Sequence, residues 1–225
     1  LVAPSLPGQV CDPCTQDADC SDDNACTADT CGDQGLCQHV TFCCLESDTY
    51  ANGFEEGLGQ WYVSDQQALD EVTWVSSNVS ASEGEWSAWF TNPATGTYEA
   101  NGAVEASLQT PQIQLPDPES DVGSLALRFD LNLSTEWDGF VYDNPAGIDR
   151  LRVELIVAGS EVIELWSSDE IDGSTQGAWM EISVPLGAWA SKSVQFRVVF
   201  DSVDAERNNY AGPRIDNVRV GQVCP

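Results

Sequence analysis

From Phe54 onward the chain alternates apolar and polar residues with a period of two. The alternation runs through QWYVS (60–64), EVTWVSS (71–77), WSAWFT (86–91), AVEASLQ (103–109) and SLALRFDLNL (124–133). It continues through DRLRVELIV (149–157), EVIELW (161–166), WMEISVPL (179–186), SVQFRVVFDS (193–202) and RIDNVRVGQV (214–223). Successive side chains of a strand point to opposite faces, so each segment is expected to be a strand with one buried face. In DRLRVELIV the buried set is Leu151, Val153, Leu155 and Val157, opposed by Arg150, Arg152, Glu154 and Ile156. In SVQFRVVF, Val194, Phe196 and Val198 oppose Gln195, Arg197 and Val199. Gly, Pro, Asn, Asp and Ser separate the segments, and no window carries an apolar stripe at helical spacing. The expectation is an all-β chain, an antiparallel β-sandwich of about eight to ten strands.

Ahead of this region the pattern is different. Residues 1–10 form an apolar, proline-bearing arm, residues 11–44 are nearly all turn formers and cysteines, and residues 45–53 read as a linker into a domain spanning 54–225. The arm has no basic flank and is too polar for a signal peptide, which suggests a processed or excised chain. Eight of the nine cysteines (Cys11, Cys14, Cys20, Cys26, Cys31, Cys37, Cys43 and Cys44) fall in the second segment, and Cys224 stands alone near the end. A zinc module needs paired C-x-x-C knuckles, usually with histidines. Here there is one such pair, Cys11 with Cys14, and one histidine, His39. Evenly spaced cysteines with few apolar residues instead predict a disulfide-stapled, loop-dominated module and an oxidising, extracellular compartment, with no zinc.

Thirty-seven acidic side chains against eight basic ones leave a formal net charge of −29, and no Lys or Arg precedes Arg128. Such a surface repels DNA, RNA and anionic lipid, and no apolar run is long enough to span a membrane. The charge suits solubility outside the cell, salty surroundings, or calcium held by clustered carboxylates.

Two resemblances bear on these regions. DADCSDDNACTADTCGDQGLCQHVTFCC (17–44) resembles the short cysteine-rich repeats of large secreted proteins of myxobacteria and related bacteria. The remainder resembles MAM-type or galactose-binding-like jelly rolls. Phe54, Glu55, Glu56 and Trp61 match that family's opening, GIDRLRVEL (147–155) its middle strand, WMEISVPL a later one, and Asp216 in the closing RIDNVRV its buried acid. The likeness implies that Cys224 pairs with Cys43 or Cys44. It also implies a structural calcium ion held by Glu55 and Asp216, with Glu56, Asn52 and Asn217 nearby. A second cysteine belonging near Trp61 is missing, Gln60 standing in that neighbourhood.

Weaker calcium candidates are Asp138, Asp143 and Asp149 in WDGFVYDNPAGID, and Asp22, Asn24 and Asp29 between the cysteines. The latter stretch begins like an EF-hand but has Asp22 where Gly is needed and Ala28 where Glu is needed. Catalysis finds little support, because His39 is the sole imidazole and no paired-carboxylate strand motif occurs. Trp86 and Trp89 are three apart, which places one toward the core and the other toward solvent, where an indole can meet a sugar. Trp74, Trp166 and Trp179 suit core positions. The expected function is that of a secreted, non-catalytic, calcium-stabilised surface protein serving adhesion or head-to-tail assembly with itself or with other surface proteins. The alternative is a carbohydrate-binding module meeting polysaccharide; a carboxylate-dependent glycosidase comes third.

Overall fold

The computed structural model describes residues 14–22, 27–41, 46–67, 69–117, 124–139, 149–157 and 161–224. They belong to two compact units, one holding the described residues of the cysteine-rich segment and Cys224, the other the described residues from 46 to 223.

In the first unit, β1 (Thr27–Cys31) and β2 (Cys37–Thr41) form an antiparallel hairpin, preceded by a 3-10 turn at Asp17–Cys20. Disulfides join Cys14 to Cys31 and Cys20 to Cys37. The hairpin was not legible in the residues, since its side chains are polar on both faces and the staples replace a core. Asp17 accepts the Cys31 backbone N–H (2.8 Å) and Asp19 accepts that of Thr15 (2.9 Å), so both acids serve the turn. Cys224 is disulfide-bonded as well, whereas Cys11, Cys26, Cys43 and Cys44 lie outside the described residues.

The second unit is an antiparallel jelly-roll sandwich. Its strands are β3 (Ser47–Asn52), β4 (Tyr62–Gln67), β5 (Thr73–Ser77), β6 (Ser87–Thr91), β7 (Glu105–Gln109), β8 (Ile113–Gln114) and β9 (Ser124–Ser134). They continue with β10 (Arg150–Val157), β11 (Glu161–Ser167), β12 (Met180–Pro185), β13 (Ser193–Asp201) and β14 (Gly212–Val223). One sheet has the order β11-β10-β13-β7-β4 with β8 on β13, and the other β12-β9-β14-β6-β5 with β3 on β14. Residues 47–52, inside the segment expected to be a linker, form β3. Only Tyr50 of that strand packs on the core, so the strand is made by backbone pairing to β14 and leaves no alternating pattern to read.

The core follows the period-two sets. Leu151, Val153, Leu155, Val194, Phe196, Val198 and Phe200 of one sheet meet Ala88, Phe90, Phe129, Leu131, Leu133 and Ile215 of the other. Phe90 and Phe200 cross the interior with ring centroids 5.1 Å apart, and Tyr98 meets Phe200 edge-on at 5.0 Å. On the outward face of the first sheet, Glu154 receives Arg152 Nε (2.9 Å) and Arg197 Nε (2.7 Å), and Arg152 also reaches Glu105 (3.3 Å).

Candidate functional site

The outward face of the second sheet carries a polar row across three strands. Arg214 of β14 lies in register with Asn132 of β9 on one side and Trp89 of β6 on the other. These positions alternate with the core residues Ile215, Leu131, Leu133, Ala88 and Phe90, so the row points away from the core. It is nevertheless buried, Arg214 being only 9% exposed. The guanidinium carbon stacks 4.1 Å from the centre of the Trp89 ring, a cation–π contact, and Trp89 donates its indole N–H to the Ala211 carbonyl (2.6 Å). Asn132 donates to the Gly177 carbonyl (2.6 Å), which ties the 174–179 loop to the Asn132 end of the row. Trp179 of that loop donates to Ser80 Oγ (3.1 Å), and a pocket of about 440 Å³ opens along Thr175, Gln176, Trp179 and Met180.

Arg214 makes no ion pair or hydrogen bond with any described residue, and its Nε is buried without a partner, as is Asn132 Oδ1. By contrast Arg128, Arg150, Arg152, Arg197 and Arg219 each pair with one or more carboxylates. Burial alone pulls the Arg214 guanidinium below its ordinary range. A buried cation without an acidic partner, in a chain of net charge −29, costs stability.

The residues assigned to calcium by resemblance gather at the bulge of β14, where the register shifts between Asp216 and Arg219. Asp216, 0% exposed, accepts the backbone N–H groups of Ser82 (2.8 Å) and Glu83 (3.1 Å) on one oxygen and that of Asn217 (2.7 Å) on the other. Burial pushes its carboxyl up, and these amides hold it down. Glu55 accepts from Glu85 (3.0 Å) and Trp86 (3.0 Å), and a Cβ at Gly84 would collide with the Glu55 carboxylate, so the loop can wrap it only with glycine there, at φ +67°. Asn52 accepts the Phe54 N–H (2.7 Å), and Asn217 donates to Asp130 (3.2 Å). Glu55, Glu83, Gly84 and Asn217 line a cavity of about 380 Å³, while Glu56 lines its neighbour with Asn52 and Gln60.

Among the weaker candidates, Asp149 is buried and receives the Tyr98 hydroxyl. Burial pushes its carboxyl up to about 8 and the Tyr98 phenol well above its ordinary range. Asp143 and the Asp138 side chain lie outside the described residues, as does Asn24. Asp22 and Asp29 do converge, and His39, which the residue pattern did not connect with them, joins them with Nδ1 2.8 Å from Asp29 and 3.6 Å from Asp22.

The tryptophan expectation needs correction. Trp89 is neither core nor free: it lies on the outward face beneath Arg214, and half-buried Trp86 precedes the strand. Trp74 and Trp166 are core residues, but Trp179 lies outside the core, on the covering loop. The Arg214 row was missed because register, which no single strand reveals, assembles it.

Neither a family model nor a curated protein sequence matches the chain. Among solved structures, it is similar to the CBM27-1 module of Caldicellulosiruptor saccharolyticus in complex with mannohexaose, with 14% identity over 79% of this chain and 97% of that one and a TM-score of 0.45. It is also similar to the mannan-recognising carbohydrate-binding module TmCBM27, with 14% identity over 80% and 99% and a TM-score of 0.37. A family 16 carbohydrate-binding module follows, with 10% identity over 75% and 94% and a TM-score of 0.38. Among the described residues no helix is long and apolar enough to cross a membrane.

Proposed function

We propose that the sandwich is a secreted, non-catalytic carbohydrate-binding module whose ligand lies on the Asn132–Arg214–Trp89 row. The observation that carries this reading is Arg214, a buried guanidinium with a stacking partner and no acid. A sugar supplies what the row lacks. Ring and hydroxyl oxygens accept from the terminal guanidinium nitrogens, which, unlike Nε, are not sealed from solvent. Disulfide staples and the acidic surface support an extracellular setting.

The test is native affinity electrophoresis through gels containing neutral or uronate-bearing polysaccharides. At least one polysaccharide is expected to retard the chain. Arg214→Met, which keeps the length of the side chain over Trp89 but removes its donors, is expected to weaken that retention about 10- to 100-fold, the effect of losing one or two charge-assisted hydrogen bonds. Unchanged retention of a folded Arg214→Met chain, or no retardation of the unaltered chain by any polysaccharide, would refute the reading.

A further inference from the structure

We propose that the ligand of the Asn132–Arg214–Trp89 row is a polysaccharide bearing isolated uronate residues on a neutral chain, its carboxylate seated on the terminal nitrogens of Arg214. The inference rests on the carbohydrate reading above and adds the chemical class of the sugar. Trp89 lies against the guanidinium, 4.1 Å from its carbon, and Nε is sealed from solvent, which leaves the terminal nitrogens to meet a ligand. N–H groups held in one rigid plane fit the two oxygens of a carboxylate, and a charged acceptor binds them more strongly than a hydroxyl does.

The row supplies no anion of its own. In register it runs Val75 of β5, Trp89, Arg214 and Asn132: an aliphatic group, an indole, a cation and an amide. Two residues further along β14, Asp216 pairs in the ladder with Asp130. Asp216 has both oxygens on backbone amides, and Asp130 accepts from Ser82 Oγ and the Asn217 side chain, so neither is given to Arg214. Burial pulls the guanidinium below its ordinary range with no carboxylate to hold it up. An external carboxylate completes the ion pair that the fold withholds. The net charge of −29 then limits how many carboxylates the ligand can carry. A polyuronate, charged at every sugar, is repelled as it approaches, whereas a neutral chain with scattered uronates brings a carboxylate to the guanidinium and little further charge.

The experiment is affinity electrophoresis of the full chain through four polymers: glucuronoxylan, the same glucuronoxylan with its carboxylates reduced to alcohols, polygalacturonate and a sulfated galactan. Glucuronoxylan is expected to retard the chain most, and carboxyl reduction to weaken retention about tenfold or more. A folded Arg214→Met chain is expected to treat native and reduced glucuronoxylan alike, with Arg214→Lys, which keeps the charge but not the planar fork, falling between. The native-against-reduced comparison uses the unaltered chain, so it decides the matter even if Arg214→Met does not fold. Equal retention by the reduced polymer, stronger retention by polygalacturonate or the sulfated galactan, or a native-against-reduced difference that survives in Arg214→Met would each overturn the proposal. Retention by neutral polysaccharide alone, lost in Arg214→Met, would overturn it while leaving the carbohydrate reading standing; retention by none would overturn both.

Discussion

Phe200→Ala tests whether the two sheets are clamped through the aromatic contacts at their centre. Phe200 is 0% exposed, and its ring meets Phe90 at 5.1 Å from the opposing sheet and Tyr98 at 5.0 Å. Burying a phenyl ring is worth about 1.5–3 kcal/mol, and each aromatic pair adds about 0.5–1.5 kcal/mol. The alanine leaves a cavity that rigid strands fill only partly, so the expected loss is about 3–5 kcal/mol. For a domain of this size that lowers the melting temperature by roughly 6–20 °C. Urea unfolding followed by tryptophan fluorescence measures it, with the midpoint falling and the slope unchanged. Tyr62→Ala is the control: on β4 and 65% exposed, it should change stability by less than about 0.5 kcal/mol. If Phe200→Ala costs no more than Tyr62→Ala, the two sheets do not share this core.

Asp216→Asn turns one carboxylate oxygen into a donor facing backbone N–H groups, and is expected to cost about 1–3 kcal/mol in urea titrations; an unchanged midpoint would show that these amides find other acceptors. Glu154→Gln removes the charge shared by Arg152 and Arg197 and is expected to cost about 1–3 kcal/mol at low ionic strength, with a smaller difference in molar salt. A difference independent of salt would assign the effect to packing.

The long sandwich strands could be read because one face of each is buried. Each of the ten alternating segments contains or overlaps a strand, and Leu151, Val153 and Leu155 are buried as the alternation requires. β3 and the β1–β2 hairpin could not be read in this way: backbone pairing makes the first, disulfides hold the second, and neither needs an apolar face. Of the calcium candidates, Glu55 and Asp216 were brought to one loop, but that loop's own amides occupy much of their oxygen. Arg214 and Asn132 escaped notice because a basic or amide residue on the polar side of a strand looks like ordinary surface. Only the pairing of three strands far apart in the chain, and the loop bonded to Asn132, make them unusual.

The placement of β3 against β14 has a mechanical consequence. Ser47 pairs with Gln222 and Asn52 with Val218, so the sandwich's first strand begins beside the end of its last. A Cβ at Gly221 would press into the Ser47 carbonyl, which shows how closely the two strands approach at that end. Tension between residues 47 and 222 therefore loads the ladder one pair at a time, as a zipper is opened, and never strains all its hydrogen bonds together as shear would. Peeling this six-residue strand releases about 20 Å of chain, while β14 keeps β9 and β6 as partners. Every cysteine left to pair with Cys224 precedes β3, so its disulfide carries end-to-end tension past this ladder, and the short, recoverable extension is released only once that bond is reduced.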